Sequence, residues 1–247
     1  MKQKVRWTMA RDVNGDSKAG VTVWVALDVP TPEEADAWMT RLHPHHHFKV
    51  GLELFLAAGP RAVAAWTARG EHVFLDLKLH DIPHTVAGAV RQARRLGVDL
   101  LTVHAAGGPA MLAAAQDAAG PALTLAAVTV LTSLSNEVLT AMGAPPARAW
   151  VETLAAMAAE AGVGAAVTSG AEVMVLHRRW PTLALVVPGV RPAGTPVGDQ
   201  ARVVSPANAV AAGAAHLVVG RPVLTAGEPL AALAAIKSDA MGAMAHA

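Results

Sequence analysis

From Val21 onward, eight short runs rich in β-branched residues alternate with alanine-rich stretches of helical length, and no Pro/Gly/Ser-rich linker divides them. This pattern predicts an α/β chain, a single-domain (β/α)8 TIM barrel over residues 21–240. The length of 247 residues and a hydrophobic content of 53% suit one large core of that kind. An open doubly wound sheet, the rival architecture, would carry a glycine fingerprint after its first strand, where Asp28-Val29-Pro30 stands instead.

Taken in order, the first strand, Val21 to Asp28, ends on an acid. Thr31-Pro32-Glu33-Glu34 then supplies a capping hydroxyl, a first-turn proline and two acids at the start of a helix. The second strand is Phe48 to Val50 and the third His72 to Lys78, with Pro83 suited to the first turn of the helix that follows. Leu100 to His104 and Leu123 to Val130 are the fourth and fifth, Pro109 opening the helix between them. Gly164 to Thr168, Leu183 to Val187 and His216 to Val219 complete the eight, and Ser205-Pro206 caps the helix before the last. Residues 1–20 are polar, with turn-forming Asp12, Asn14, Gly15 and Asp16 and no apolar segment of the kind a secretory signal needs, and they read as a tail.

Composition narrows the chemistry. The absence of Cys removes disulfide scaffolds, thiolate nucleophiles and Cys-bound metals, and the absence of Tyr removes phenolic acids and bases. Lys and Arg number 20 against 19 Asp and Glu, a net charge of +1 without a basic run, so neither nucleic acid nor an anionic membrane is an expected partner. The longest stretch free of charged residues, Ala118 to Asn136, is broken by Gly120-Pro121 and several hydroxyl residues, which argues against a membrane span. A cytoplasmic location is the default expectation. Alanine makes up roughly a fifth of the chain, suiting close helix-on-strand packing. The six tryptophans are scattered and read as packing anchors. His43, His45, His46 and His47, interrupted by Pro44 and without a matching carboxylate pattern, read as a solvated loop and not a metal site.

In a barrel, chemistry gathers at the C-terminal ends of the strands, and Asp28, Lys49, Asp76, Lys78, His104, Thr132, Arg191 and Arg221 all lie at or just beyond such ends. The segment Asp76-Leu77-Lys78-Leu79-His80-Asp81-Ile82-Pro83 is the most informative. Strand alternation puts Asp76 and Lys78 on one face and Leu75, Leu77 and Leu79 on the other. Asp81 falls past the strand end, where a turn either returns a second carboxylate to the same ammonium or delivers it to a neighbouring subunit. A lysine held between carboxylates keeps its proton, which suits a proton donor to a developing carbanion better than a Schiff-base nucleophile. The alternative is a structural ion network at a strand terminus. Asp28 and Lys49 extend the alternation of charge over three adjacent strands, an array able to bind sugar hydroxyls and fix the lysine.

Two later segments suggest an anion site. Gly220-Arg221 follows the eighth strand, the usual phosphate region of such barrels, and Pro188-Gly189-Val190-Arg191-Pro192 follows the seventh, leading through a Gly/Pro-containing loop to Asp199-Gln200. Thr132 after the fifth strand either hydrogen-bonds a heterocycle or caps local backbone.

This ordered set resembles the orotidine 5′-phosphate decarboxylase family. The segments that carry the resemblance are Ala26-Leu27-Asp28, Phe48-Lys49-Val50-Gly51, the Asp76-to-Pro83 stretch with Thr85, Thr102-Val103-His104-Ala105, Leu131-Thr132-Ser133, Pro188 to Pro192, Asp199-Gln200 and Val219-Gly220-Arg221. The resemblance implies cofactor-free, metal-free decarboxylation of orotidine 5′-monophosphate to UMP. It implies that Lys78 protonates C6, with Asp76 and Asp81 holding it and shaping the field around the substrate carboxylate. It further implies ribose contacts from Asp28 and Lys49, a base contact from Thr132, and a phosphate grip from Gln200, Arg191, Gly220 and Arg221. Members of the family are homodimers in which the residues matching Asp81 and Thr85 reach the partner's site. Two departures stand out: the polar N-terminal extension, and Val187 where Thr or Ser is common. Two other readings compete: a metal-dependent sugar-phosphate decarboxylase or synthase of the same superfamily, whose members carry Glu where Lys49 stands, and a catalytically silent nucleotide-binding barrel.

Overall fold

A computed structural model describes residues 20–192 and 204–244. The N-terminal segment read as a tail lies, Gly20 apart, outside the described residues, as do Asp199 and Gln200.

Eight parallel strands close into a barrel in sequence order: β1 (Thr22–Leu27), β2 (His47–Gly51), β3 (His72–Leu79), β4 (Leu100–His104), β5 (Thr124–Val128), β6 (Ala165–Val167), β7 (Ala184–Pro188) and β8 (Ala214–Val219). The expected strands are all present, with ends shifted by one or two residues. The fifth stops at Val128 because Thr129 turns both its N–H and its hydroxyl onto the Val167 carbonyl. Helices α1 (Pro32–Arg41), α2 (Leu52–Ala68), α3 (Pro83–Arg95), α4 (Gly108–Ala119), α5 (Asn136–Ala141), α6 (Ala147–Glu160), α7 (Val173–Arg179), α8 (Pro206–Ala211), α9 (Arg221–Leu224) and α10 (Pro229–Met244) surround it. None of them is long and apolar enough to cross a membrane.

Local signals act where they were placed. Thr31 accepts from the Glu34 N–H at 3.2 Å and Ser205 from the Asn208 N–H at 3.1 Å, so both hydroxyls satisfy donors that a helix start leaves unpaired. Pro83 and Pro109 occupy first-turn positions. In α2, Gly59 at φ 70° followed by Pro60 kinks the helix.

Two apolar layers form. Outside, the buried faces of the helices cover the outward side chains of the strands; inside, Trp24 and Phe74, edge-on at 5.7 Å, share the barrel with small residues such as Ala26, Ala126 and Ala165. Bulky aromatics on β1 and β3 fit beside the alanines of β5 and β6, and Leu100, Val186 and Val218 fill the remaining space.

The histidine-rich stretch departs from its reading as a solvated loop. His45 is buried and bonds the His47 carbonyl at 2.8 Å, His46 meets Glu71 at 3.2 Å, and His47 belongs to β2, stacked on His72 at 4.5 Å; only His43 is exposed. Strand pairing draws them in, since His47 and His72 are register partners. With His216 of β8 they line the N-terminal mouth of the barrel, opposite the end where the charges lie. Trp24 donates its indole N–H to His216 Nδ1 at 3.2 Å, which fixes that nitrogen as an acceptor.

Burial pushes His216 down to about 4. Burial, then His72 and His45, push His47 down to about 3 against the opposing pull of Asp99. The hydrogen bond to Asp99 raises His72. Between 6.5 and the folded values of His216 and His47 the unfolded chain binds the extra protons, so their contribution is complete above pH 6.5 and is lost as pH falls. His72 acts with the opposite sign: its contribution is complete below 6.5 and is lost as pH rises through its folded value. Melting temperatures should therefore fall from pH 7 to pH 5. In His216→Asn, whose amide oxygen offers Trp24 an acceptor that does not titrate, the pH-dependent loss should shrink by about 1 to 2 kcal/mol, the ring being partly exposed. Parallel pH slopes in the two proteins would contradict this assignment.

Candidate active site

Three adjacent strands deliver four charged side chains to the C-terminal mouth. Asp28 follows β1, Lys49 lies on β2, and Asp76 and Lys78 lie on β3. Lys49 Nζ is 3.3 Å from Asp28 Oδ1 and 3.5 Å from Asp76 Oδ2, while Lys78 Nζ is 2.8 Å from Asp76 Oδ1. Asp28, Lys49, Asp76 and Lys78 thus form one alternating chain, lining a cavity of about 310 Å³ together with Gly51 and Glu53. Gly51 leaves room for it, since a Cβ there would sit 3.3 Å from Lys49 Nζ.

Burial alone would push the Asp76 carboxyl up. The Lys49 and Lys78 charges, with hydrogen bonds from Lys78 and Thr102, outweigh it and hold Asp76 below its ordinary value. His104, at the end of β4, lies beside His80 at 5.3 Å; burial, then His80 and Lys78, push it down, so the ring faces the array neutral at pH 7.

Simple alternation does not describe how Asp76 and Lys78 meet. Leu75 pairs with Leu101 and Leu79 with Val103, so four steps along β3 match two along β4, and Lys78 takes φ 50°. The bulge turns Lys78 out of the ladder, and its N–H bonds the Thr102 hydroxyl at 2.8 Å. Leu75 is buried, but Leu77 and Leu79 are only half-buried.

Asp81 does not return to Lys78 within the chain. It is exposed, and its Oδ1 accepts from the Ile82 N–H at 2.6 Å; Thr85, in the first turn of α3, is also exposed. Thr132 sits half-buried in the loop after β5. Arg191 is 9% exposed, tied in by its N–H to the Val204 carbonyl at 3.0 Å, while Arg221 opens α9 and is exposed. Gly220 joins this end to the charged array, because a Cβ there would lie 3.5 Å from both Ala26 Cβ and Asp28 Oδ2. Gln200 lies outside the described residues.

Sequence reasoning singled out neither Thr102 nor His80 as a site residue. Thr102 is fully buried and donates to Asp76 Oδ1 at 2.9 Å. Its signal was a hydroxyl two residues before His104, on the same face of an otherwise apolar strand.

The family model for orotidine 5′-phosphate decarboxylase / HUMPS matches residues 22–236. The chain belongs to that family. Among proteins similar to it, the orotidine 5′-phosphate decarboxylase of Alkalilimnicola ehrlichii is 52% identical over 223 residues, spanning 87% of this chain and 94% of that one. That of Thermobifida fusca is 52% identical over 219 residues, again 87% and 94%. The crystal structure of orotidine 5′-phosphate decarboxylase from Lactobacillus acidophilus superposes with a TM-score of 0.81 at 37% identity, covering 89% of this chain and 99% of that one. The family's match begins at the first residue of β1 and ends inside α10, so it includes every strand and all four members of the charged array.

Asp76 carries the most electrostatic weight in this family member. Asp76→Ala leaves Lys78 without a carboxylate of its own chain and the Thr102 hydroxyl without its acceptor, and should cost about 3 kcal/mol in urea unfolding. Asp28→Ala removes a side chain that is 66% exposed and should cost less than about 1 kcal/mol. Equal costs would mean that burial does not distinguish the two acids.

Proposed function

We propose that this chain decarboxylates orotidine 5′-monophosphate to UMP and carbon dioxide, in de novo pyrimidine synthesis, as a cytoplasmic homodimer. The observation that carries the reading is the 2.8 Å ion pair of Lys78 with Asp76 inside a charged cavity at the C-terminal mouth of a barrel of this family. In the proposed reaction the C6–carboxylate bond breaks, the electron pair stays on C6, and Lys78 Nζ supplies the proton; the neutral amine then recovers one from water. Asp76 orients the ammonium and places negative charge beside the position from which carbon dioxide leaves.

Asp28 and Lys49 bind the ribose hydroxyls, and Thr132 meets the base. Gln200, Arg191, Gly220 and Arg221 take the phosphate, for which Gly220 presents close backbone and Arg221 a guanidinium. No cofactor enters the scheme. Lys49 already sets an ammonium between Asp28 and Asp76, where the metal-dependent relatives need a ligand of opposite charge. Asp81 and Thr85 complete the partner's site. The exposure of both, the bond of Asp81 to the Ile82 N–H while Lys78 pairs with Asp76, and Ile82 at 66% exposure in the same turn all fit a segment that leaves its own barrel.

Purified protein should consume orotidine 5′-monophosphate absorbance at an undiminished rate in excess EDTA, and Lys78→Ala should lose at least about 1,000-fold in turnover while binding UMP within a few-fold of the parent. A strict metal requirement would favour the sugar-phosphate enzymes, and tight UMP binding without turnover in the parent a silent binder.

Shared sites make a second prediction. Lys78→Ala and Asp81→Ala homodimers should each be inactive, whereas an equimolar mixture, after subunit exchange, should regain about a quarter of parental activity, half the dimers being mixed and each carrying one intact site. No recovery despite demonstrated exchange would place Asp81 in its own chain's site or outside the machinery.

A further inference from the structure

Lys78 occupies a backbone conformation that β-strands do not use, and one side chain answers for it. At φ 50° its N–H has left the β3–β4 ladder, whose register jumps from Leu75–Leu101 to Leu79–Val103. A buried N–H without an acceptor is costly, and the Thr102 hydroxyl supplies one at 2.8 Å. Because an N–H can only donate, Thr102 Oγ1 must accept there, which leaves its own proton for Asp76 Oδ1 at 2.9 Å. The same oxygen of Asp76 takes the Lys78 ammonium at 2.8 Å. A closed circuit results: Lys78 backbone to Thr102, Thr102 to Asp76, Asp76 to Lys78 Nζ. Thr102 is fully buried, so water does not compete with either of its bonds.

We infer that Thr102 is a positioning residue for the proton donor, holding the backbone of Lys78 and the carboxylate of Asp76 in the one arrangement that aims the ammonium into the cavity. This rests on the proposed role of Lys78. Thr102 does not touch the substrate in this scheme. It acts by fixing both groups that the ammonium depends on, as a side-chain replacement for the missing ladder bond. A hydroxyl is required because the position needs one acceptor and one donor on the same atom. Valine fills the same volume with neither.

The test compares Thr102→Val, Thr102→Ser and Lys78→Ala for kcat, KM and UMP affinity, with melting temperature recorded for each. Thr102→Val should lose about 100-fold in kcat, the scale of a misplacement of about 1 Å, while KM and UMP affinity stay within about threefold. Thr102→Ser, which keeps the hydroxyl, should recover to within about fivefold of the parent. If Thr102→Val does not fold, Thr102→Ala, which also lacks the hydroxyl, is held to the same kcat, KM and affinity limits. Turnover within threefold of the parent in the hydroxyl-free variant, alongside an inactive Lys78→Ala, overturns this role and leaves that of Lys78 standing. A parallel fall in kcat and UMP affinity that Ser does not rescue also overturns it, as the mark of a merely structural residue. Turnover in Lys78→Ala overturns the proton-donor reading itself, and this one with it.

Discussion

The Asp76 carboxylate is the point on which the C-terminal mouth depends. Only 14% of its side chain is exposed, so an unpaired charge there would be strongly disfavoured, and each of its oxygens has a cationic neighbour. Oδ2 faces Lys49 and Oδ1 faces Lys78, with the Thr102 hydroxyl as a further donor to Oδ1. Lys49, 12% exposed, is compensated in turn by Asp76 and by the more exposed Asp28. The array is therefore buried at its centre, at Lys49 and Asp76, and open to solvent at both ends, Asp28 being 66% and Lys78 40% exposed. The glycines follow the same logic, Gly51 leaving space beside the Lys49 ammonium and Gly220 bringing the last strand's exit against Asp28.

The barrel interior divides its inward-facing positions by height. At the N-terminal mouth sit His47, His72 and His216, two of them held neutral by burial; in the middle Trp24 and Phe74 fill the lumen among alanines, valines and Leu100; at the top the charges gather. A layer of apolar side chains separates the two polar ends of the barrel interior.

Much of this was legible in the sequence because it depends on local rules. Strand and helix alternation, the Thr31 and Ser205 caps and the first-turn prolines are short-range signals, and they placed all eight strands to within about two residues. The charges at strand ends could be read as one site once the barrel was assumed, since strand order fixes which ends are neighbours. What escaped depends on register between strands. His47 looks like loop when read beside Pro44, and becomes a lumen residue only because β2 pairs with β3 one residue earlier than its apolar run suggests. Strand alternation correctly brought Asp76 and Lys78 together but for an incomplete reason, since the bulge and the Thr102 contact arise between β3 and β4 and leave no trace in either segment alone.

The residue at position 78 faces two demands that conflict. A left-handed backbone favours glycine, and holding another residue there costs roughly 1 kcal/mol or more. Glycine, however, has no ammonium to offer. The conflict is settled by surrounding structure: the Thr102 hydroxyl takes the displaced N–H, and the Asp76 carboxylate holds the side chain at 2.8 Å. The two contacts are compatible on one oxygen, because Thr102 accepts from the Lys78 N–H with a lone pair while its own proton goes to Asp76. Strain that persists in a folded chain implies that its neighbours over-determine it, and here they do so through two strands and three residues. The direction of the ammonium is thus built into the sheet and does not wait for a ligand to impose it, which is the arrangement expected of a group that must deliver a proton at the moment a bond breaks.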